Sequence, residues 1–317
     1  MPSKISFIIC SWQAPSSLDE TLDSISRQLT TDDAEIVLVN NGFTSARASE
    51  LQRKYPVLRL VDEPIPGLAH ARRAGFRAAR GVFFVCLDDD NLIGDDFINS
   101  LHSLVIHHQQ LGCICPLVVP LWEKEPELWL QEFGKCCLSY NSVHLPARGA
   151  LRQESIWKGG RLQGWPAPPG GGMIIHRLIA EDYLREQDKK RLKLGRIGGE
   201  LGGSEDSDII SRVNNLGLGA AWSENLVVFH QIPEARTKLK YLLRLNFRMT
   251  QDAAMFEKIC QRKKEASASN SLSTHRALLF WRLAAWMRGK IGFRLLLLEW
   301  ARSLGFIWGW AKETLHR

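Results

Sequence analysis

Much of what would make this sequence easy to classify is missing from it. No apolar run approaches the ~18 residues a membrane-spanning helix requires, and the nearest stretch, Leu295–Ala311, is broken by Glu299 and Arg302. The seven cysteines include no Cys-x-x-Cys pair: Cys113 and Cys115 flank one residue, Cys136 and Cys137 are adjacent, and Cys10 and Cys86 sit in apolar runs. Structural zinc and a disulfide framework therefore lack a spacing to rest on, and reduced, mostly buried thiols fit better. No Gly-Lys-Ser/Thr follows the cluster Gly170-Gly171-Gly172, which excludes a Walker-type loop. The apolar stretch Ile5–Cys10 is too short for a signal-peptide core and has no small-residue cleavage site after it. It reads as a first strand, and the chain as cytoplasmic. No internal repeat is present.

Charge of a single sign is missing too. The net charge is +7, but residues 1–235 hold 24 Lys+Arg against 29 Asp+Glu, a net of −5, while residues 236–317 hold 17 against 5, a net of +12. Five of the eleven tryptophans also follow residue 275. A uniformly basic nucleic-acid binder is excluded, and the leucine- and tryptophan-rich basic region matches no nucleic-acid motif, so no nucleic-acid partner is expected. At 317 residues and 45% hydrophobic composition, the chain can bury a sizeable core without staples.

What is present is alternation. Ile5–Cys10, Ile36–Val39, Leu58–Val61 and Val82–Leu87 are short apolar runs. Between and after them, Leu18, Leu22, Ile25 and Leu29, then Leu68–Arg80 and Phe97–His108, follow helical spacing. This predicts an α/β fold with a mostly parallel, Rossmann-like sheet sandwiched by helices. Ligands in such sheets sit beyond the carboxyl ends of the strands. Three of those ends carry polar residues: Ser11-Trp12-Gln13, Asn40-Asn41-Gly42 and Asp88-Asp89-Asp90. From Pro116 to Gly203 the pattern is irregular, with glycine clusters at Gly159-Gly160, Gly170–Gly172 and Gly198-Gly199. From Leu239 it is helical, interrupted by the polar stretch Glu265–Thr274, which reads as a linker. The expected division is a domain over 1–248 and a helical, basic C-terminal appendage over 249–317.

Three adjacent carboxylates repel one another, and a divalent cation offsets that repulsion; hard cations such as Mg²⁺ and Mn²⁺ take carboxylate oxygens and bridge them to substrate phosphates. The alternative is a solvated acidic turn, although Asp95 and Asp96 already stand where a cap for the next helix is needed. Gly202–Asp208 is a second acidic cluster, either a plain helix start or the place where a carboxylate reaches a substrate proton. Arg72 and Arg73, early in a helix opened by Gly67, suit a phosphate or a solvated face equally. His230, after Val227-Val228-Phe229, is a metal ligand or simply hydrogen-bonded.

Taken in order, these segments resemble the family 2 nucleotide-sugar glycosyltransferases of GT-A fold. The resemblance spans roughly residues 4–248. It rests on Ser6–Trp12, Glu35–Gly42, Gly67–Gly75, Leu87-Asp88-Asp89-Asp90-Asn91, Gly170–Met173 and Glu205-Asp206. It implies that Asp88 and Asp90 hold a divalent metal (Mg or Mn) on the donor diphosphate, joined by His230, which with Arg236 resembles a His…Arg segment of some members. It implies that Asp89 reaches the donor ribose and that Ser11, Gln13, Asn40 and Arg72 bind the donor. Asp206, beside Glu205, becomes the base that deprotonates the acceptor hydroxyl, with inversion at the anomeric carbon. The sequence departs from the family at Asn40, where an Asp is usual, at Phe43, where a Ser is usual, at Arg73, where an Asn is usual, and at Trp12-Gln13 in place of Tyr-Asn.

The segment Leu295–Ala311 places Leu296, Leu297, Trp300, Leu304, Ile307 and Trp308 opposite Arg294, Arg302 and Lys312, the profile of a helix lying in a membrane interface. Packing on the chain's own domain or on a second subunit fits as well. The sequence therefore predicts a metal-dependent glycosyltransferase acting on a glycan or lipid-linked acceptor, with peripheral membrane contact through 276–317. Asn40 supports one alternative, a catalytically inactive nucleotide- or glycan-binding relative. A nucleotidyltransferase is disfavoured because Ser11–Pro15 contains neither Gly nor Lys.

Overall fold

The computed structural model describes residues 4–29, 34–135, 137–145, 153–157, 168–185, 194–197, 200–262, 272–289 and 291–315. Gly159-Gly160, Gly198-Gly199, Cys136 and most of the expected linker at 265–274 lie outside them. The strands are β1 (Ile5–Ser11), β2 (Ala34–Asn40), β3 (Leu58–Asp62), β4 (Phe83–Asp88), β5 (Asn91–Ile93), β6 (Leu111–Trp122), β7 (Glu154–Trp157), β8 (Met173–His176) and β9 (Gly219–Ile232). The helices are α1 (Ser17–Ser26), α2 (Ser45–Lys54), α3 (Leu68–Ala78), α4 (Phe97–His107), α5 (Leu128–Gly134), α6 (Arg177–Arg185), α7 (Glu205–Asn215), α8 (Leu239–Arg262), α9 (Leu272–Met287) and α10 (Phe293–Leu315). Two compact units result, Met1–Gln187 with Ile209–Ile232, and Asp188–Asp208 with Pro233–Arg317.

All the described strands belong to the first unit and form one sheet in the order β3-β2-β1-β4-β8-β6-β9-β5, with β7 paired to β9. β3, β2, β1 and β4 are parallel. β8 then enters antiparallel between β4 and β6. β9 runs parallel to β6 and antiparallel to β5. The parallel half is the part that alternation predicts; the irregular middle of the sequence supplies the antiparallel strands. Continuous apolar runs mark β1, β2 and β4 because both of their faces are covered. Ile8, Val37, Val39, Phe84 and Cys86 form one core cluster with Ala71, Ala74 and Phe76 of α3, Ile179 and Tyr183 of α6, and Ile209 and Val213 of α7. α3 comes so close to the sheet that a Cβ on Gly75 would lie 2.5 Å from Ile8 Cγ2.

In the second unit α10 packs against α8 along its small residues. A Cβ on Gly309 would sit 2.5 Å from the carbonyl oxygen of Gln251, and one on Gly305 would sit still closer to that of Phe247. Lys258 Nζ donates to the Trp310 carbonyl at 2.6 Å, and Trp300 Nε1 to that of Leu279 at 3.2 Å. Glycines thus fix the contact line, and the apolar stripe expected on this helix is divided. Leu296 of that stripe is buried while its Leu304 and Trp308 stay exposed, and Leu298 and Phe306, which lie outside it, are buried. No described residue of α9 is buried, although the helix is apolar on most sides, and Phe280 and Trp281 are 76% and 69% exposed. Among the described residues no helix is long and apolar enough to cross a membrane.

Candidate active site

β4 ends on Asp88, and the turn Asp89-Asp90 leads directly into β5. The turn is closed by Asn91, whose Oδ1 accepts from the Asp88 amide at 2.9 Å. Because Asn91 pairs with His230 across the β5–β9 ladder, the turn is carried to the imidazole. His230 Nε2 lies 3.5 Å from Asp90 Oδ1, with both side chains buried. The Gln231 amide donates to the Asp90 carbonyl at 2.9 Å, which anchors the turn to β9 a second time. Asp88 and Asp89 remain partly exposed.

The end of β1 meets this turn, and the end of β2 meets that of β1. Ser11, at the end of β1, donates from Oγ to Asp89 Oδ2 at 2.5 Å and accepts the Ala14 amide at 3.0 Å. The Asn41 amide donates to the Ser11 carbonyl at 2.9 Å. Asn40 accepts the amides of Gly42 and Phe43 on Oδ1, and its Nδ2 donates to Asp62 Oδ1 at 3.0 Å. The Asp that the sequence lacks at position 40 is therefore matched by a carboxylate at the end of the neighbouring strand, β3. Trp12 lies over Gly42, where a Cβ would come within 2.6 Å of its ring, and is itself 41% exposed. Gln13 is exposed and has no hydrogen-bond partner among the described residues.

The floor is cationic and glycine-lined. Arg72 of α3 is buried, donates to the Gly170 carbonyl at 3.0 Å and lies 4.0 Å from Asp88 Oδ1. A Cβ on Gly171 would lie 2.8 Å from Asp88 Oδ2 and 2.5 Å from Asn91 Oδ1, so a side chain at 171 would displace the carboxylate turn. Arg73, the departure from the resembled helix, points elsewhere: it donates to the carbonyls of Tyr183 and Leu184, both at 2.8 Å. Its role is to tie α3 to the end of α6. Asp96 also departs from expectation. It precedes α4 in a left-handed conformation, φ +60°, and its side chain makes no capping bond to the backbone of that helix. Its Oδ1 accepts from the Asn99 side-chain Nδ2 at 2.6 Å instead.

The donor set suits a hard cation: carboxylate oxygens at Asp88 and Asp90 and one imidazole nitrogen at His230. Among the described residues no three such groups already converge as a preformed cage. That is compatible with Mg²⁺ or Mn²⁺, which keep several positions for water and substrate phosphates and need only one or two protein ligands.

Glu205 and Asp206 open α7 and belong to the second unit. Glu205 is buried; Asp206 is partly exposed and its Oδ1 accepts the Ser207 amide at 2.8 Å. Carboxylates are favoured there, since the first amides of a helix lack internal partners. Ser204, just before them, adopts a left-handed φ of +69°, unusual for a residue other than glycine. Asp62 and Asn91 are residues that sequence reading missed. Asn91 directly follows the acidic triplet, whereas nothing local marks Asp62.

A family model described as Glycosyl transferase family 2 matches residues 6–160. Among curated proteins, a Bacillus subtilis protein described as the uncharacterized glycosyltransferase EpsJ is 34% identical over 100 residues, 30% of this chain and 27% of its own length. Glycosyltransferase GlyA of Streptococcus pneumoniae is 28% identical over 110 residues, 33% of this chain and 16% of its own. The match thus spans about a quarter or less of either relative. Among solved structures, the mannosyltransferase PcManGT of Pyrobaculum calidifontis, in complex with GDP-Man and Mn²⁺, aligns with a TM-score of 0.59 at 18% identity over 99% of this chain and 88% of its own. S. aureus TarS in complex with UDP gives 0.51 at 12% identity over 99% and 92%. At these identities the likeness is one of fold.

Proposed function

We propose that the chain, whose residues 6–160 match the Glycosyl transferase family 2 model and whose fold is GT-A, transfers a sugar from a nucleoside-diphosphate-sugar to a hydroxyl acceptor, with metal dependence and inversion. The observation that supports this most is the turn Asp88–Asp90, held to His230 at 3.5 Å and backed by Gly171. The fold neighbours' complexes with GDP-Man and Mn²⁺, and with UDP, favour the same reading.

In this mechanism the strand ends hold the donor: Asp89, oriented by Ser11, takes the ribose, while Asn40 and Gln13 face the nucleoside. Asp88, Asp90 and His230 would hold a divalent cation, which would supply positive charge to the diphosphate. Arg72 adds a fixed cation beside Asp88. Asp206 accepts the acceptor's hydroxyl proton as the oxygen bonds to the anomeric carbon; the bond from that carbon to the diphosphate oxygen breaks, and its electrons leave with the nucleoside diphosphate. Glu205 supports the base. The acceptor is a polysaccharide, glycolipid or lipid-linked glycan. The basic region 276–317, with its exposed Phe280, Trp281, Met287 and Trp308, docks peripherally on the cytoplasmic face of a membrane.

Thermal shift against a panel of nucleotide sugars, with and without Mn²⁺, tests the reading, because a ligand that binds only the folded state raises its apparent stability. One nucleotide sugar is expected to raise Tm only with metal present. No shift by any nucleoside diphosphate or its sugars overturns the proposal.

A further inference from the structure

The described residues 194–197 and 200–203, which lead into the acidic start of α7, are tied to one another. The Gly195 amide donates to the Gly203 carbonyl at 3.0 Å, and the Glu200 amide to the Ile197 carbonyl at 3.0 Å. α8 grips this loop at two points one helical turn apart. Asp252 Oδ2 accepts the Gly203 amide at 2.9 Å and also faces the Gly195 amide. Arg248 donates to the Leu201 carbonyl at 3.3 Å and pairs with Glu200 at 2.7 Å. The neck is too tight for any side chain, since a Cβ on Gly202 would come within 2.8 Å of Asp252 Oδ2. Directly after the gripped Gly203 comes Ser204 at φ +69°, and then Glu205 and Asp206. A residue held in the left-handed region persists only where its surroundings over-determine it, and such residues gather at functional segments.

We propose that Asp252 is a positioning residue for the transfer reaction: by clamping the amides of Gly203 and Gly195 it fixes the left-handed Ser204 and, through it, the direction in which Asp206 leaves the helix start. This deepens the proposed function and rests on its assignment of Asp206 as base. An ionised carboxylate is the right clamp because it accepts the Gly203 amide while turning full negative charge towards the Gly195 amide, whereas a protonated one loses that charge and gives up an acceptor. Burial is the largest influence on Asp252 and raises its pKa to about 6; the two amides and Arg248 oppose it, and Glu200 adds to it. Among the described residues, Arg248, from its own helix, and Glu200, from the loop, are the charged groups facing it. The clamp is therefore fully formed above that pH and loosens as pH falls through it.

The test compares wild type, Asp252→Asn and Asp252→Ala in the full chain. In Asp252→Asn, kcat at pH 8 is expected to fall ~10- to 100-fold while the donor KM holds, as for a displaced reacting group. The acidic limb near pH 6 is expected to vanish from its kcat profile, and amide exchange of the 194–203 segment to accelerate. Asp252→Ala gives a larger loss of the same kind. Unchanged exchange in this segment, or wild-type kcat with the acidic limb intact, overturns the proposal. Asp206→Asn is assayed in parallel. If it keeps full turnover while Asp252→Asn still speeds loop exchange, the base assignment fails and the clamp stands as a structural one only, which also overturns its positioning role.

Discussion

His230 Nε2 lies 3.5 Å from Asp90 Oδ1, both side chains being buried, because Asn91 and His230 are cross-strand partners. Removing the carboxylate leaves the Asp88–Asp90 turn with one ligand and one negative charge fewer to hold a cation. Asp90→Ala is expected to abolish the Mn²⁺-dependent part of the donor thermal shift. His230→Gln, which keeps a polar side chain of similar reach, is expected to weaken Mn²⁺ binding ~10-fold or more, the scale typical of perturbing a metal site. Calorimetric titration with Mn²⁺ in the presence of nucleoside diphosphate measures both, and unaltered affinity in either variant removes that residue from the metal set.

Asp206→Asn keeps size and shape while removing the base. Turnover is expected to fall ~10²- to 10⁴-fold with donor affinity nearly unchanged, the range that general-base catalysis contributes. Full turnover in the variant rules out the assignment.

Gly171→Ala drives a methyl into Asn91 Oδ1 and Asp88 Oδ2, at 2.5 and 2.8 Å. Overpacking of this kind costs about 1–3 kcal/mol, and here the strain falls on the carboxylate turn. A raised donor KM accompanied by a small drop in Tm is the expected pairing. A drop in Tm with normal donor binding would mean that the turn yields without moving Asp88.

Asn40→Asp places a second carboxylate where Asn40 Nδ2 now donates to Asp62 at 3.0 Å. Like charges in contact disfavour ionisation of both, so the single change is expected to weaken donor binding although it restores the residue usual in the family. The exchange Asn40→Asp with Asp62→Asn restores one donor and one carboxylate, and binding is expected to recover. Failure of the double variant to recover would show that the carboxylate's position matters more than its presence.

Phe280 and Trp281 are the most exposed aromatics of α9. Replacing both with serine is expected to lower co-sedimentation with anionic vesicles at low salt and to leave donor binding intact, since apolar insertion and charge attraction act together at an interface. Equal sedimentation before and after the change removes α9 from the membrane surface.

The sequence by itself determined the parallel half of the sheet and the polar strand ends, because strands buried on both faces must be continuously apolar and their termini must then carry the chemistry. The acidic triplet after Leu87 was legible for that reason. Tertiary structure alone decided which polar residues share the site. Asp62 joins Asn40 only because β3 pairs with β2, and His230 meets Asp90 only because β5 and β9 run antiparallel. It also decided that Arg72 turns to Gly170 while its neighbour Arg73 ties down α6, since successive helix positions face different directions and only packing tells which one meets the sheet end. On α10 it replaced the tryptophan stripe by the line of Gly305 and Gly309, where two backbones can approach most closely. Periodicity fixes how a segment is buried; long-range pairing fixes what it is buried against.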